Sequence, residues 1–300
     1  MVSICIPVYN WDVRLLIQSL EEQNRQFNPE GEIIIIDDGS DEVFRAVNRE
    51  ICGRHHYVEL PENIGRARIR NLFLQYARFE YLLFLDCDSV LENDDFLNKY
   101  LDELNGEAVP DVLCGGPTYH AHKPSRQYML RWKYGFKREK MPAEVRQKDP
   151  YTSFFPNNFL VRKEVLSRFP FDEGLTLYGH EDTLFAYELK KNAIPVLHID
   201  NPVLNGQLDE NFVFLKKTAD AVDNLRKIQN NLKGDQGFIQ SSKILRFYNK
   251  ILPVSGFFAA LFWLIRPVIV FLITKRVFSL VLFDFYKLGI LLTNQKKIEN

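Results

Sequence analysis

Three short runs of apolar residues, each ending on polar or acidic side chains, constrain this chain more than any other feature. They are Val2–Val8 leading into Tyr9-Asn10, Glu32–Ile36 leading into Asp37-Asp38, and Tyr81–Leu85 leading into Asp86. The runs are continuous rather than alternating, the pattern of strands buried on both faces of a parallel sheet. Helical periodicity fills the gaps between them. Over Trp11–Gln23, Val13, Leu16, Ile17 and Leu20 share one face, and over Ile64–Ala77, Ile69, Leu72, Phe73 and Tyr76 recur at helical spacing. Such alternation predicts an α/β domain with a doubly wound sheet. Ligands of these sheets bind beyond the carboxyl ends of the strands, where all three polar endings fall.

Further along, residues 117–156 are rich in Lys, Arg, Tyr and Pro without clear periodicity and read as an excursion with mobile loops. Order is expected to return at 157–165, then as a helix over Asp182–Lys191 and a strand over Ile194–Ile199. The pattern changes near Leu225 and becomes strongly apolar from Ile251.

Charge narrows the partners. The net charge of -1 argues against general nucleic-acid binding, but it conceals an asymmetry. Residues 211–300 carry 14 Lys/Arg against 5 Asp/Glu, while residues 1–210 carry 24 against 34. A basic tail on an acidic body suggests anionic lipid as a partner. Cys5, Cys52, Cys87 and Cys114 have no metal-binding spacing and read as free thiols of a reducing compartment. The first residues, Met1-Val2-Ser3-Ile4, lack the basic start of a signal peptide and read as a strand.

Three clusters can carry chemistry. Asp86-Cys87-Asp88 sets two carboxylates past a buried strand, suited to Mg²⁺ or Mn²⁺ shared with phosphate oxygens, although a bare D-x-D is also a common solvated turn. Asp37-Asp38-Gly39-Ser40 either ends a strand in a turn that caps the next helix or offers a carboxylate to a nucleobase N–H, with the ring of Tyr9 beside the base. Glu181-Asp182 follows Tyr178-Gly179-His180. Acids at a helix start are stabilised by the macrodipole alone, but Gly179 permits a close approach or an unusual dihedral at the mouth of a loop-rich region.

Taken in order, Ser3–Asn10, Ile36–Ser40, Asn63-Ile64-Gly65 with Arg70-Asn71, Asp86-Cys87-Asp88 and Gly179–Asp182 resemble the motifs of family 2 glycosyltransferases over about residues 2–200. The resemblance implies a GT-A fold, a Rossmann-like α/β nucleotide-diphospho-sugar transferase sheet; a C-terminal helical, membrane-associating segment is expected from the apolar and basic character of the tail itself. It implies that Pro7 and Tyr9 line the nucleotide pocket, Asp38 binds uracil or a similar base, and Asp86 lies near the ribose or sugar. Arg70 matches the family's basic position on its helix. Asp88 would bind the metal that bridges the diphosphate, and Asp182 would be the catalytic base. The implied reaction is inverting transfer from a nucleotide sugar, UDP-linked as the first expectation, to a hydroxyl of a glycan or lipid-linked acceptor at the cytoplasmic face of a membrane. The implied division is a catalytic domain over 1–224 and a helical, apolar and basic region over 225–300.

The chain departs from the family at one point. Many relatives carry a histidine after the last strand, and here His198 lies in an apolar strand while the later position reads Asn205, leaving the third metal ligand unassigned. Asn157-Asn158-Phe159 is a further candidate for acceptor contact. A nucleotidyltransferase and a non-catalytic scaffold are the rival readings. The first would want a Gly-rich, basic phosphate loop where Tyr9-Asn10-Trp11-Asp12 stands, and intact Asp86, Asp88 and Asp182 weigh against the second.

The tail contains Ile251–Ile265 without charge, then Arg266, then Pro267–Thr274, together 24 residues and long enough to cross a bilayer. Arg266 would cost about 2.5–3.5 kcal/mol at the centre of a crossing. A second apolar segment, Val277–Leu292, contains Asp284 and Lys287. Interfacial helices or a re-entrant hairpin are therefore expected ahead of a full span, with a buried helical hairpin as the alternative.

Overall fold

The structure, a computed structural model, describes residues 1–293; positions 294–300 of the expected basic tail lie outside the described residues. The chain divides into two compact units. The first comprises residues 1–119, 139–176 and 181–207. Its strands are β1 (Val2–Val8), β2 (Glu32–Asp37), β3 (His56–Glu59), β4 (Tyr81–Leu85), β5 (Ser89–Val90), β6 (Val112–Cys114), β7 (Pro117–Thr118), β8 (Asn158–Arg162), β9 (Val196–His198) and β10 (Val203–Asn205). Seven form the main sheet in the order β3-β2-β1-β4-β8-β6-β9, and β5-β10-β7 form a small second sheet.

Both faces of the main sheet are covered, which is why its central strands read as unbroken apolar runs. From β1 and β2, Val2, Ile4, Ile6, Ile33 and Ile35 pack on one side with Leu16, Ile17 and Leu20 of the helix Arg14–Phe27. Cys5, Ile34 and Ile36 pack on the other with Ile69 and Phe73 of the helix Arg66–Tyr76. Each fully buried aliphatic side chain contributes about 1.5–3 kcal/mol. β1 is parallel to β2 and β4, as the continuous runs predict, but β8 is antiparallel to both β4 and β6, so the sheet is mixed. That reversal brings residue 157 to the end of β4, where the Asp86 N–H donates to the Asn157 carbonyl at 3.0 Å.

The stretch expected to be loops contains a continuous helical run formed by Arg126–Tyr128, Met129–Tyr134 and Gly135–Glu139, and a short helix Ala143–Arg146. The run passes from 3₁₀ to α to π geometry, so no single period marks it. Tertiary bonds hold them instead: Arg146, 1% exposed, donates to the carbonyls of Cys114, Gly115 and Ile199.

The second unit comprises residues 120–138, 177–180 and the chain from Leu208 onward. It contains the helix Asn211–Asn231, a 34-residue helical run Lys243–Arg276 and the helix Leu280–Thr293. Residue 224, the expected boundary, falls inside the first of these: composition changes there while the backbone continues. Phe214 stacks on Phe283 at 5.2 Å, and Tyr134 meets Phe283 edge-on. The buried amide of Asn211 ties three segments together, accepting from the Leu130 N–H and donating to the carbonyls of Arg126 and Thr274.

Candidate active site

The carboxyl ends of β1, β2 and β4 lie side by side in the main sheet, so their polar endings share one edge. At β2, the Asp38 N–H donates to the Val8 carbonyl at 2.7 Å. The Asp38 carboxylate accepts from the N–H groups of Ile64 and Gly65, at 2.7 and 3.2 Å. Burial pushes its pKa up against the pull of those two bonds. Asp37 accepts from the Ser40 N–H at 2.7 Å and braces the turn. Gly39 has φ of +76°, and a Cβ there would meet the Glu62 backbone at 2.5 Å, so the turn itself requires glycine at this position. Pro7 sits in β1 opposite Ile36, and the ring of Tyr9, half exposed, stands at the strand's end.

At β4, Arg70 is the hub. It projects from the helix Arg66–Tyr76, is 2% exposed, and places one guanidinium nitrogen 3.3 Å from Asp86 Oδ1 and the other 3.2 Å from Glu181 Oε1. Glu181 opens the helix Glu181–Lys191, and Asp182 follows it. Burial alone would raise the Glu181 carboxyl, but Arg70, with Arg66 behind it, more than offsets this and holds it below the ordinary value. Asp182 goes the other way. Burial and then the adjacent Glu181 charge push it up to about 6, while the Thr183 N–H, 2.7 Å from Oδ1, and Arg70 restrain the rise. A carboxylate pair with divided pKa values is the pattern expected of acid–base machinery.

Asp88 and Asn205 form the third group. β5 begins at the residue after Asp88, and Asn205 on β10 is the register partner of Ser89. The Gly206 N–H donates to the Asp88 carbonyl at 2.9 Å, and a Cβ on Gly206 would strike that oxygen at 2.4 Å. Asn205 Oδ1 is buried without a hydrogen-bond partner. No cluster of three His, Cys, Asp or Glu occurs among the described residues. The Asp88 carboxylate and the orphaned Asn205 amide oxygen, carried on these paired segments, are both hard-oxygen donors, a type that suits a Mg²⁺ or Mn²⁺ ion completing its shell with phosphate oxygens and water.

The sheet edge thus gathers Asp38, Asp86 and Asp88, and Arg70 links Asp86 to the pair at 181–182. His198 stands apart: its Nδ1 faces Arg146 at 2.7 Å and its Nε2 faces the Pro150 carbonyl at 2.9 Å, while burial pushes its pKa down to about 4. Asn158 and Phe159 are fully buried, against the expectation that they touch an acceptor. The Asn158 amide is consumed by Tyr100, Gly116 and Asn201. Gly179 has φ of +89° and lies against Ala221, the close approach its position suggested. One feature escaped the sequence reading, the Arg70–Glu181 link, whereas Asn205 stands where the reading left the third metal ligand unassigned. The link had a signal: Ala67, Arg70 and Phe73 follow one another at i, i+3 and i+6 on the buried stripe of their helix.

The sequence profile described as "Glycosyl transferase family 2" matches residues 3–169, more than half of the chain. The chain belongs to that family. An uncharacterised glycosyltransferase of Haemophilus influenzae is 35% identical over 34% of this chain and 41% of its own length. The hyaluronan synthase of Pasteurella multocida is 26% identical over 62% of this chain and 22% of its own length. The chain therefore spans well under half the length of these curated relatives. Among solved structures, the mannosyltransferase PcManGT of Pyrobaculum calidifontis, in complex with GDP-Man and Mn²⁺, is similar with a TM-score of 0.63 at 15% identity, covering 98% of this chain and 88% of that one. That likeness is one of fold, and with the family match it makes this a GT-A glycosyltransferase sheet.

Proposed function

We propose that this family 2 glycosyltransferase moves a sugar from a nucleotide-sugar donor to a hydroxyl of a glycan or lipid-linked acceptor, with inversion. The observation that carries the reading is the position of Asp182 at a helix start, next to Glu181, which Arg70 joins to Asp86 at the sheet edge; burial and the Glu181 charge push the Asp182 pKa up to about 6. Tyr9 and Pro7 would line the base, Asp38 would accept from it, and Asp86 would meet the ribose or sugar. Arg70 would act on the donor through Asp86, since its own guanidinium is buried.

Asp182 takes the proton of the acceptor hydroxyl as the oxygen bonds to the anomeric carbon, and the bond to the diphosphate breaks on the opposite face. A single base opposite the leaving group gives displacement with inversion, and such a base contributes typically ~10²–10⁴-fold. Asp88 and Asn205 would hold the divalent cation, which when bound offsets the charge developing on the diphosphate. PcManGT, which shares the fold, carries both a nucleotide sugar and Mn²⁺. Nucleotide sugars are cytoplasmic, so the site would work on that side of a membrane that holds the acceptor. No observation favours the nucleotidyltransferase or scaffold readings.

The test is a donor screen with UDP-, GDP- and dTDP-sugars and Mn²⁺, read as donor hydrolysis and transfer. One donor class should be turned over by the wild type, and Asp88→Ala should abolish turnover while the variant stays folded. Full activity of Asp88→Ala in excess EDTA would remove the metal role.

A further inference from the structure

The 34-residue helical run Lys243–Arg276 contains six basic residues and no acidic one. Its two sides differ. On the inner side, Phe262 is fully buried against Gly289 of the helix Leu280–Thr293, where a Cβ would meet the phenyl ring at 2.1 Å. Phe262 also meets Tyr286 at 6.1 Å, and the charge of Arg266 lies beside the Tyr286 hydroxyl. On the outer side, Phe257, Trp263, Leu264, Val268 and Phe271 are each half to two-thirds exposed. Arg246 and Lys250 before them, and Lys275 and Arg276 after them, are exposed as well. The exposed basic residues thus bracket the exposed apolar ones along the run, which a 3₁₀ turn over Leu252–Val254 interrupts and a π-turn over Leu272–Arg276 closes.

We propose that this face lies lengthwise in the headgroup region of an anionic lipid bilayer, as a monotopic anchor, rather than crossing the bilayer. The inference rests on the membrane-side reading above and gives it a surface and an orientation. The run is long enough to span, but its inner side is not lipid-like. The helix Leu280–Thr293 beneath it carries Asp284 and Lys287, 2.9 Å apart, and Asp284 also pairs with Arg138. That helix in turn packs on Asn211–Asn231, where Arg226 donates to the carbonyls of Ile290 and Leu291. A crossing would drag these ions into hydrocarbon, whereas a tangential helix buries only its outer face.

The far end of the run is also pinned to its own unit. The last turn, Leu272–Arg276, is a π-turn, and its displaced carbonyls at Thr274 and Lys275 accept from Asn211 and Arg126. Charge selects the occupant. A second copy packed antiparallel would set Arg246 and Lys250 against Lys275 and Arg276, like against like, whereas anionic headgroups match both ends and the apolar middle enters the acyl boundary. Lys and Arg stems reach the headgroups from such a position by snorkelling.

The test uses the full chain with vesicles of phosphatidylcholine, with and without phosphatidylglycerol. The protein should sediment with the anionic vesicles and be released by salt. Lys275→Glu with Arg276→Glu should weaken this by about tenfold or more, and Leu264→Asp should abolish it, with unchanged circular dichroism because these side chains point outward. Trp263, near the middle of the apolar stretch, reports depth, with Trp263→Phe as the control for Trp11 and Trp132. Lipids brominated near the glycerol should quench it most. Strongest quenching by bromine near the bilayer centre would establish a crossing, and failure to sediment, or a dimer abolished by Leu264→Asp, would establish another occupant. Either result overturns the proposal. Donor hydrolysis measured without vesicles reports on the catalytic reading separately.

Discussion

Asp182 and Glu181 are neighbours in sequence, yet the fold shifts their pKa values in opposite directions, because Arg70 faces Glu181 directly while burial, and then the repulsion of Glu181, raises Asp182. Below about pH 6 Asp182 holds its proton and cannot accept another, so turnover should climb as pH rises through that value and level off above it. Glu181→Gln removes the charge that raises Asp182 and leaves Arg70 less neutralised; both changes favour the ionised form of Asp182. The acid limb should therefore move to lower pH, and a limb that stays in place or moves up would show that Glu181 does not set the base. Asp182→Asn should keep donor affinity and lower turnover by about 10²–10⁴-fold, as loss of a general base does; a saturating-acceptor rate equal to wild type would place the base elsewhere. Asn205→Ala should weaken Mn²⁺ binding in the presence of the nucleoside diphosphate, measured by titration calorimetry. Unchanged affinity would mean that its orphaned oxygen serves no cation.

At the scale of elements, legibility followed the length of the local signal. β1 and β4 fall where the apolar runs place them, because strands buried on both faces leave no room for polar residues. The helix expected to begin at Trp11 starts at Arg14, since Asp12 accepts from the Arg14 N–H and stops the chain from coiling earlier. β6, at three residues, and the helical turns between 126 and 146 have no period to read; they exist because distant groups such as Arg146 satisfy their surroundings. The candidate site divides the same way. Asp86, Asp88 and Asp182 were legible because strand ends and helix starts are local features, whereas the Arg70–Glu181 contact spans 111 residues, and the position of Asn205 could be read but not its pairing with the strand after Asp88. Packing between helices follows that second rule. Gly289→Ala forces a methyl into the Phe262 ring, and overpacking of this kind typically costs about 1–3 kcal/mol. A lowered melting temperature with unchanged donor hydrolysis is expected, and an unaltered melting curve would mean that the two helices separate freely.

For the whole molecule, the helical unit raises the question of whether the apolar tail can be removed without damage. Its core says that it cannot. Phe214 and Leu225, on the helix Asn211–Asn231, are buried, and Phe283 of the tail stacks directly on Phe214. Asn211 would also lose the Thr274 carbonyl. Deleting the chain after Lys250 removes the covering layer and leaves apolar surface and an incompletely bonded buried amide, each a named route to large destabilisation. The truncated chain should aggregate, or stay soluble only with an exposed surface that binds an apolar dye and with a broadened unfolding transition. Leu264→Asp in the full chain, which alters only the outward face, should instead remain a cooperative folder that has lost vesicle binding. Comparing the two separates anchor from core. If the truncated chain melts as sharply as the full one and binds no dye, residues beyond Lys250 are an appendage, and the helices from Asn211 onward do not share one hydrophobic core.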